Sequence, residues 1–185
     1  MNNSYIYLVF SKTNTLLSRS IGAVTQSDYT HVALSLDTNF NNMYTFGRLH
    51  PSNPFFAGLT IENLHTGVYQ RSSYCQSMIY KISVSNKQLQ SLTEELDKYY
   101  SSDIKYRYNF LGLFAVLMDK PWKREKYYFC SQFISELLAS SNIWHSPKVP
   151  ELTRPSDLVH IDNKEIFYRG YTSDFTLKYK NEFAY

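Results

Sequence analysis

One cysteine has the surroundings of a nucleophile. In the run Tyr127-Tyr128-Phe129-Cys130-Ser131-Gln132-Phe133, a strand-like aromatic lead-in gives way to apolar residues Phe133, Ile134, Leu137 and Leu138 at helical spacing. Cys130 therefore falls at or just before the first turn of a helix. Backbone N–H groups there have no intrahelical partner, and the helix dipole adds partial positive charge. Both favour a thiolate. A free thiol with a pKa near 8.5 is only about 3% ionised at neutral pH, whereas a pKa of about 6.5 makes it mostly thiolate. The same N–H groups can receive the oxyanion formed when that thiolate attacks an acyl carbonyl. The competing reading is structural, with Cys130 a small buried hydrophobe that starts a core helix. A base elsewhere in the chain decides between the two.

Five histidines are available: His31, His50, His65, His145 and His160. A cysteine nucleophile needs an imidazole within hydrogen-bond reach, commonly oriented by a third polar side chain. His31 opens an expected strand, where a side chain is held rigidly and aimed past the end of a sheet. His160 lies near a helix-to-strand junction and is the alternative base. The other three fall in loop-like surroundings. Cys75 sits among polar residues with no basic neighbour and reads as structural. One cysteine and scattered histidines lack the spacing of metal ligands, so neither a metal nor another cofactor is expected.

Positioning these groups requires the following elements. Ile6 to Phe10 reads as a buried first strand, and Ser11 to Asn14 as caps for a helix reaching Val24. Thr30 to Asp37 and Met43 to Gly47 read as an antiparallel hairpin. Arg48 to Thr66, with Pro51, Pro54 and Gly58, reads as a long irregular excursion. Val68 to Gln70 and Met78 to Val84 are expected strands. Ser85 to Gln88 has a capping-box pattern for a helix running to about Ser101. Asn109 to Met118 reads as a helix buried on all sides, with an acyl-chain pocket as the competing use of its apolar residues. The Cys130 helix follows to Ser140, then a helical turn at Pro155 to Leu158 and a last strand from Glu165 to Tyr171.

The chain has 185 residues, 43% hydrophobic and 19% charged, which suits one globular domain over 1–185. A net charge of +3 is too mild for a nucleic-acid binder without clustered Lys and Arg. The densest basic run, Lys120 to Lys126, reads as a solvated loop, with phosphate or anionic lipid as the alternative contact. Two cysteines do not make a disulfide scaffold, and neither a cleavable signal nor a membrane-length stretch is visible. These features point to a soluble protein of the cytoplasm, with peripheral membrane contact left open.

Tyr29-Thr30-His31-Val32-Ala33-Leu34, some hundred residues before Phe129-Cys130-Ser131-Gln132-Phe133, resembles the circularly permuted papain-like cysteine hydrolases. These include the YiiX-like branch of the NlpC-type superfamily, with the lecithin:retinol acyltransferase group as a relative. In that group the histidine strand precedes the cysteine helix. The lead-in Tyr106 to Gly112 and the run Arg154-Pro-Ser-Asp-Leu158 share the family's look. The resemblance implies an α+β fold, a small antiparallel sheet packed against helices, with Cys130 as nucleophile and His31 as general base. It also implies Tyr106 or Tyr108 as an oxyanion donor beside the Cys130 N–H. The family's third member is a carboxylate or amide on the strand after the histidine strand, where this chain has Thr45. Glu62 is the charged substitute if its loop folds back, and the choice between them stays open. The substrate stays open among a peptide, an isopeptide and an acylated or lipid molecule, the last suiting the apolar residues Phe110 to Met118. The second functional reading is a catalytically inactive binding module that uses the aromatic excursion from Arg48 to Thr66, with Phe55 and Phe56, as a partner surface. Oligomeric state is not legible.

Overall fold

The computed structural model describes residues 4–13, 28–50, 53–71 and 74–183. Its centre is β1 (Ser4–Lys12), whose alternate side chains enter two separate cores. Ile6, Leu8 and Phe10 face one, and Tyr7 and Val9 the other. A strand covered on both faces reads as a continuous apolar run, as this one does. Each such fully buried side chain stabilises the fold by about 1.5–3 kcal/mol.

Around β1 the sheet grows on both sides. β2 (His31–Ser35) and β3 (Met43–His50) form the expected hairpin, and β4 (Asn53–Glu62) extends it. β5 (Gln76–Val84) pairs with the other edge of β1. The remaining strands are β6 (Arg107–Tyr108), β7 (Tyr127–Tyr128) and β8 (Lys164–Tyr171). Among the described residues the sheet has eight strands in the order β7-β6-β4-β3-β2-β1-β5-β8, every pairing antiparallel except the parallel β6–β7 pair.

Helices lie on both faces of this α+β sheet. α1 (Gly67–Arg71) and the C-terminal α6 (Thr172–Phe183) touch each other, and their Tyr69 and Phe175 join the second core. α2 (Asn86–Tyr100) carries the first core with α4 (Cys130–Ser140) and the short α5 (Pro155–Leu158). α3 (Phe110–Leu117) stands between β6 and β7 in sequence. The capping box of α2 is present, with Ser85 accepting from the Gln88 N–H and Gln88 returning a bond to the Ser85 N–H. Such a cap is worth about 1 kcal/mol.

Four expectations change. The irregular excursion is largely β4, a ten-residue strand paired with β3 from Met43↔Glu62 to His50↔Asn53. Its glycine serves close approach and not a turn: a Cβ on Gly58 would meet the Tyr106 carbonyl oxygen at 2.5 Å, where β6 joins the sheet. Val68 to Gln70 is part of α1 and not a strand. Gly67, at φ 61°, turns the chain there, and three residues are too few to carry a period. The helix after Asn109 is not buried on all sides, because only Gly112, Ala115 and Val116 are buried. Finally, the last strand is followed by α6. The expected helix from Asn14 to Val24 lies outside the described residues, and Ser11 belongs to β1.

Candidate active site

The side chain at the head of α4 is Cys130, only 3% exposed and a free thiol. The N-cap residue is Phe129, which offers no side-chain acceptor, so the first-turn N–H groups are left for other partners. One of them, the Ser131 N–H, bonds the Cys130 sulfur, as does the Val32 N–H of β2. The His31 imidazole and the Tyr108 hydroxyl complete its surroundings.

His31 is the first residue of β2, so its backbone is pinned by pairing with Ser11 while its ring reaches beyond the strand end. Nε2 meets Glu62 Oε2 at 3.0 Å, which leaves Nδ1 for the thiol. Glu62 ends β4 and also receives the Tyr69 hydroxyl at 2.6 Å. Thus the thiol and the carboxylate approach the imidazole from different layers. Cys130 belongs to the first core, and Tyr69, which holds Glu62, to the second.

Electrostatics follow this chain of contacts. Burial pushes the Cys130 thiol up, but the His31 hydrogen bond and charge, with the two backbone N–H groups, outweigh it and hold the pKa below the usual thiol value. Burial pulls His31 down, yet the Glu62 charge and the bonds to Cys130 and Glu62 leave it well above its ordinary value. Burial raises Glu62, and His31, Tyr69 and Arg48 together bring it below the ordinary carboxylate value. The shifts have the directions that a thiolate–imidazolium pair backed by a carboxylate requires. Tyr108 is pushed well above the usual phenol value by burial and by Cys130, so it remains a donor.

Next to this group lies a cavity of about 330 Å³, walled by His31, Glu62, Tyr69, Tyr108, Arg48 and Phe110 among others. Cys130 itself is not in that wall.

Of the residues singled out from sequence, the fold brings together Cys130, His31, Glu62 and Tyr108. Thr45 is buried and donates to the Val32 carbonyl at 2.8 Å, so its hydroxyl is used in holding β2 to β3. Tyr106 packs among Phe46, Tyr99 and Tyr128. His160 is exposed, at the turn that closes α5. His65 bonds the Asn39 carbonyl at 2.8 Å, away from the thiol. Sequence reasoning missed Tyr69 and Gly47. A Cβ on Gly47 would collide with Glu62 Oε1, and no local pattern announces that requirement. Among the described residues no three of His, Cys, Asp and Glu gather as metal ligands.

The fold and site thus define an α+β protein in which a histidine-bearing strand precedes a helix headed by cysteine. A solved structure with this fold is that of metalloprotein yiiX from Escherichia coli O157:H7, at a TM-score of 0.59 and 13% identity, covering 92% of this chain and 98% of that one. No protein-family model and no curated protein matches the chain. Among the described residues no helix is long and apolar enough to cross a membrane.

Proposed function

We propose that the protein is a thiol hydrolase or acyltransferase of the permuted papain-like kind, acting on an amide, thioester or ester. The observation that supports this reading is the contact chain Cys130–His31–Glu62, with its 3.0 Å Nε2–Oε2 bond and the opposed shifts of thiol and imidazole. The Cys130 thiolate attacks the acyl carbonyl, and His31 delivers its proton to the leaving group. Water or a second acceptor then takes the acyl group from sulfur, with His31 as base. The N–H groups at the head of α4 and the Tyr108 hydroxyl are the donors proposed for the oxyanion. Peptide, isopeptide and acylated or lipid substrates all fit this chemistry.

The word metalloprotein belongs to the structural neighbour. Here the His31 imidazole is bonded to both Glu62 and Cys130, and among the described residues no three such side chains gather as ligands, so the donor set does not fit a bound metal.

The binding-module reading has one observation in its favour: Cys130 is almost wholly buried and lies outside the cavity wall. Iodoacetamide alkylation across pH separates the two. The enzyme reading expects Cys130 to react well below pH 8 and to slow in His31→Ala, while His160→Ala leaves the rate unchanged. A thiol that reacts no faster than free cysteine at any pH supports the binding module. Labelling by a panel of electrophilic acyl probes, compared with Cys130→Ala, then identifies the acyl group.

A further inference from the structure

Helix α3 is built inside out. Its small residues Gly112 and Ala115, with Val116, face the protein, while Leu111, Phe114, Leu117 and the following Met118 face outward. Phe114 and Met118 are 65% and 64% exposed, and Trp122 in the next loop is 50% exposed. Positions 111, 114 and 118 fall on one side of a helix, so these side chains make one surface. A large outward apolar surface of this sort marks an interaction site.

The adjoining loop says what kind. Residues 119–126 carry Lys120, Lys123, Arg124 and Lys126 against Asp119 and Glu125, a net charge of +2. All three lysines are exposed. Arg124 lies over the Tyr127 ring at 3.9 Å and reaches toward Asn109, the cap of α3, at 3.4 Å. Loop and helix are therefore held together as one unit, apolar on the helix and cationic beside it.

We propose that α3 and residues 118–126 form a docking face for an anionic lipid surface. Phe114, Met118 and Trp122 enter the boundary between headgroups and acyl chains, and the lysines extend to the phosphates. A second copy of the chain is a poorer occupant, since a symmetric contact through this face brings two net-positive loops together. Phe110, the first residue of α3, belongs to the cavity wall shared by His31, so docking sets that wall beside the lipid.

Flotation of the full chain with vesicles tests it. Binding is expected to equimolar phosphatidylglycerol and phosphatidylcholine, weakening with salt, and not to phosphatidylcholine alone. Lys120→Gln and Lys123→Gln should each weaken the partition coefficient about fivefold. Phe114→Ser combined with Trp122→Ser should abolish binding while the thermal unfolding curve stays cooperative. Absence of binding to the anionic vesicles overturns the proposal. So does equal binding by the double variant, or a wild-type dimer that the double variant converts to monomer without any vesicle binding.

Discussion

Tyr69 donates its hydroxyl to Glu62 Oε2 over 2.6 Å, and the same carboxylate oxygen meets His31 Nε2 at 3.0 Å. The phenol is pushed well above its usual value by burial and by the Glu62 charge, so it stays protonated and keeps donating to Glu62. The carboxylate is held negative from two sides, and its charge in turn keeps His31 protonated.

Tyr69→Phe preserves the ring and removes the donor. Glu62 then protonates at higher pH, and the acid limb of Cys130 alkylation should move upward. Urea unfolding should register a loss of about 1.5–3 kcal/mol, the range for a hydrogen bond to a charged group. A variant with an unmoved acid limb would leave Tyr69 a purely structural role.

Glu62→Gln and Thr45→Val separate the two third-member candidates. Glu62→Gln should slow alkylation by about tenfold on the acid limb of the profile, the equivalent of a thiol pKa one unit higher. Thr45→Val should lower stability by about 1 kcal/mol through the lost bond to Val32, with the alkylation profile intact. The reverse pattern would reinstate Thr45.

Stability should depend on pH through this pair. Glu62 is lowered, so its contribution is present above the ordinary 4.5 and is lost as pH falls through its folded value. His31 is raised, so its contribution is full below 6.5 and is lost as pH rises through its folded value. Both are complete between 4.5 and 6.5. In a Cys130→Ala background, which removes the thiol's own titration, the difference in urea midpoint between that protein and its His31→Ala, Glu62→Gln derivative should peak in this window. A difference that is flat across pH would separate the pair from the stability.

Gly47→Ala probes the space that Glu62 occupies. The added methyl collides with Glu62 Oε1, and overpacking of this sort destabilises by about 1–3 kcal/mol. The displaced carboxylate should give an alkylation profile like that of Glu62→Gln. A wild-type profile would mean that Glu62 can hold His31 from another position.

The legible elements were those whose signal is local. The start of α4 at Cys130, the Ser85–Gln88 box and the β2–β3 hairpin each follow from a handful of adjacent residues. β4 was obscured because Pro54 and Gly58 normally punctuate loops, whereas Gly58 is small for the sake of the β6 backbone beside it. α3 departs from the expected all-round burial because an entirely apolar helix does not say which side is covered. Small residues face inward here, and the largest ones face outward.

By itself the sequence determined that a cysteine heads one helix and a histidine opens one strand, since caps and periodicity act over a few residues. Only the tertiary structure decided that these two meet, that Tyr108 and not Tyr106 reaches the thiol, and that Glu62 and not Thr45 meets the imidazole. The reason is geometric. Glu62 is placed by the β3–β4 register and by Tyr69 in one layer, Cys130 by α4 in the other, and His31 lies at the strand end where both can reach it.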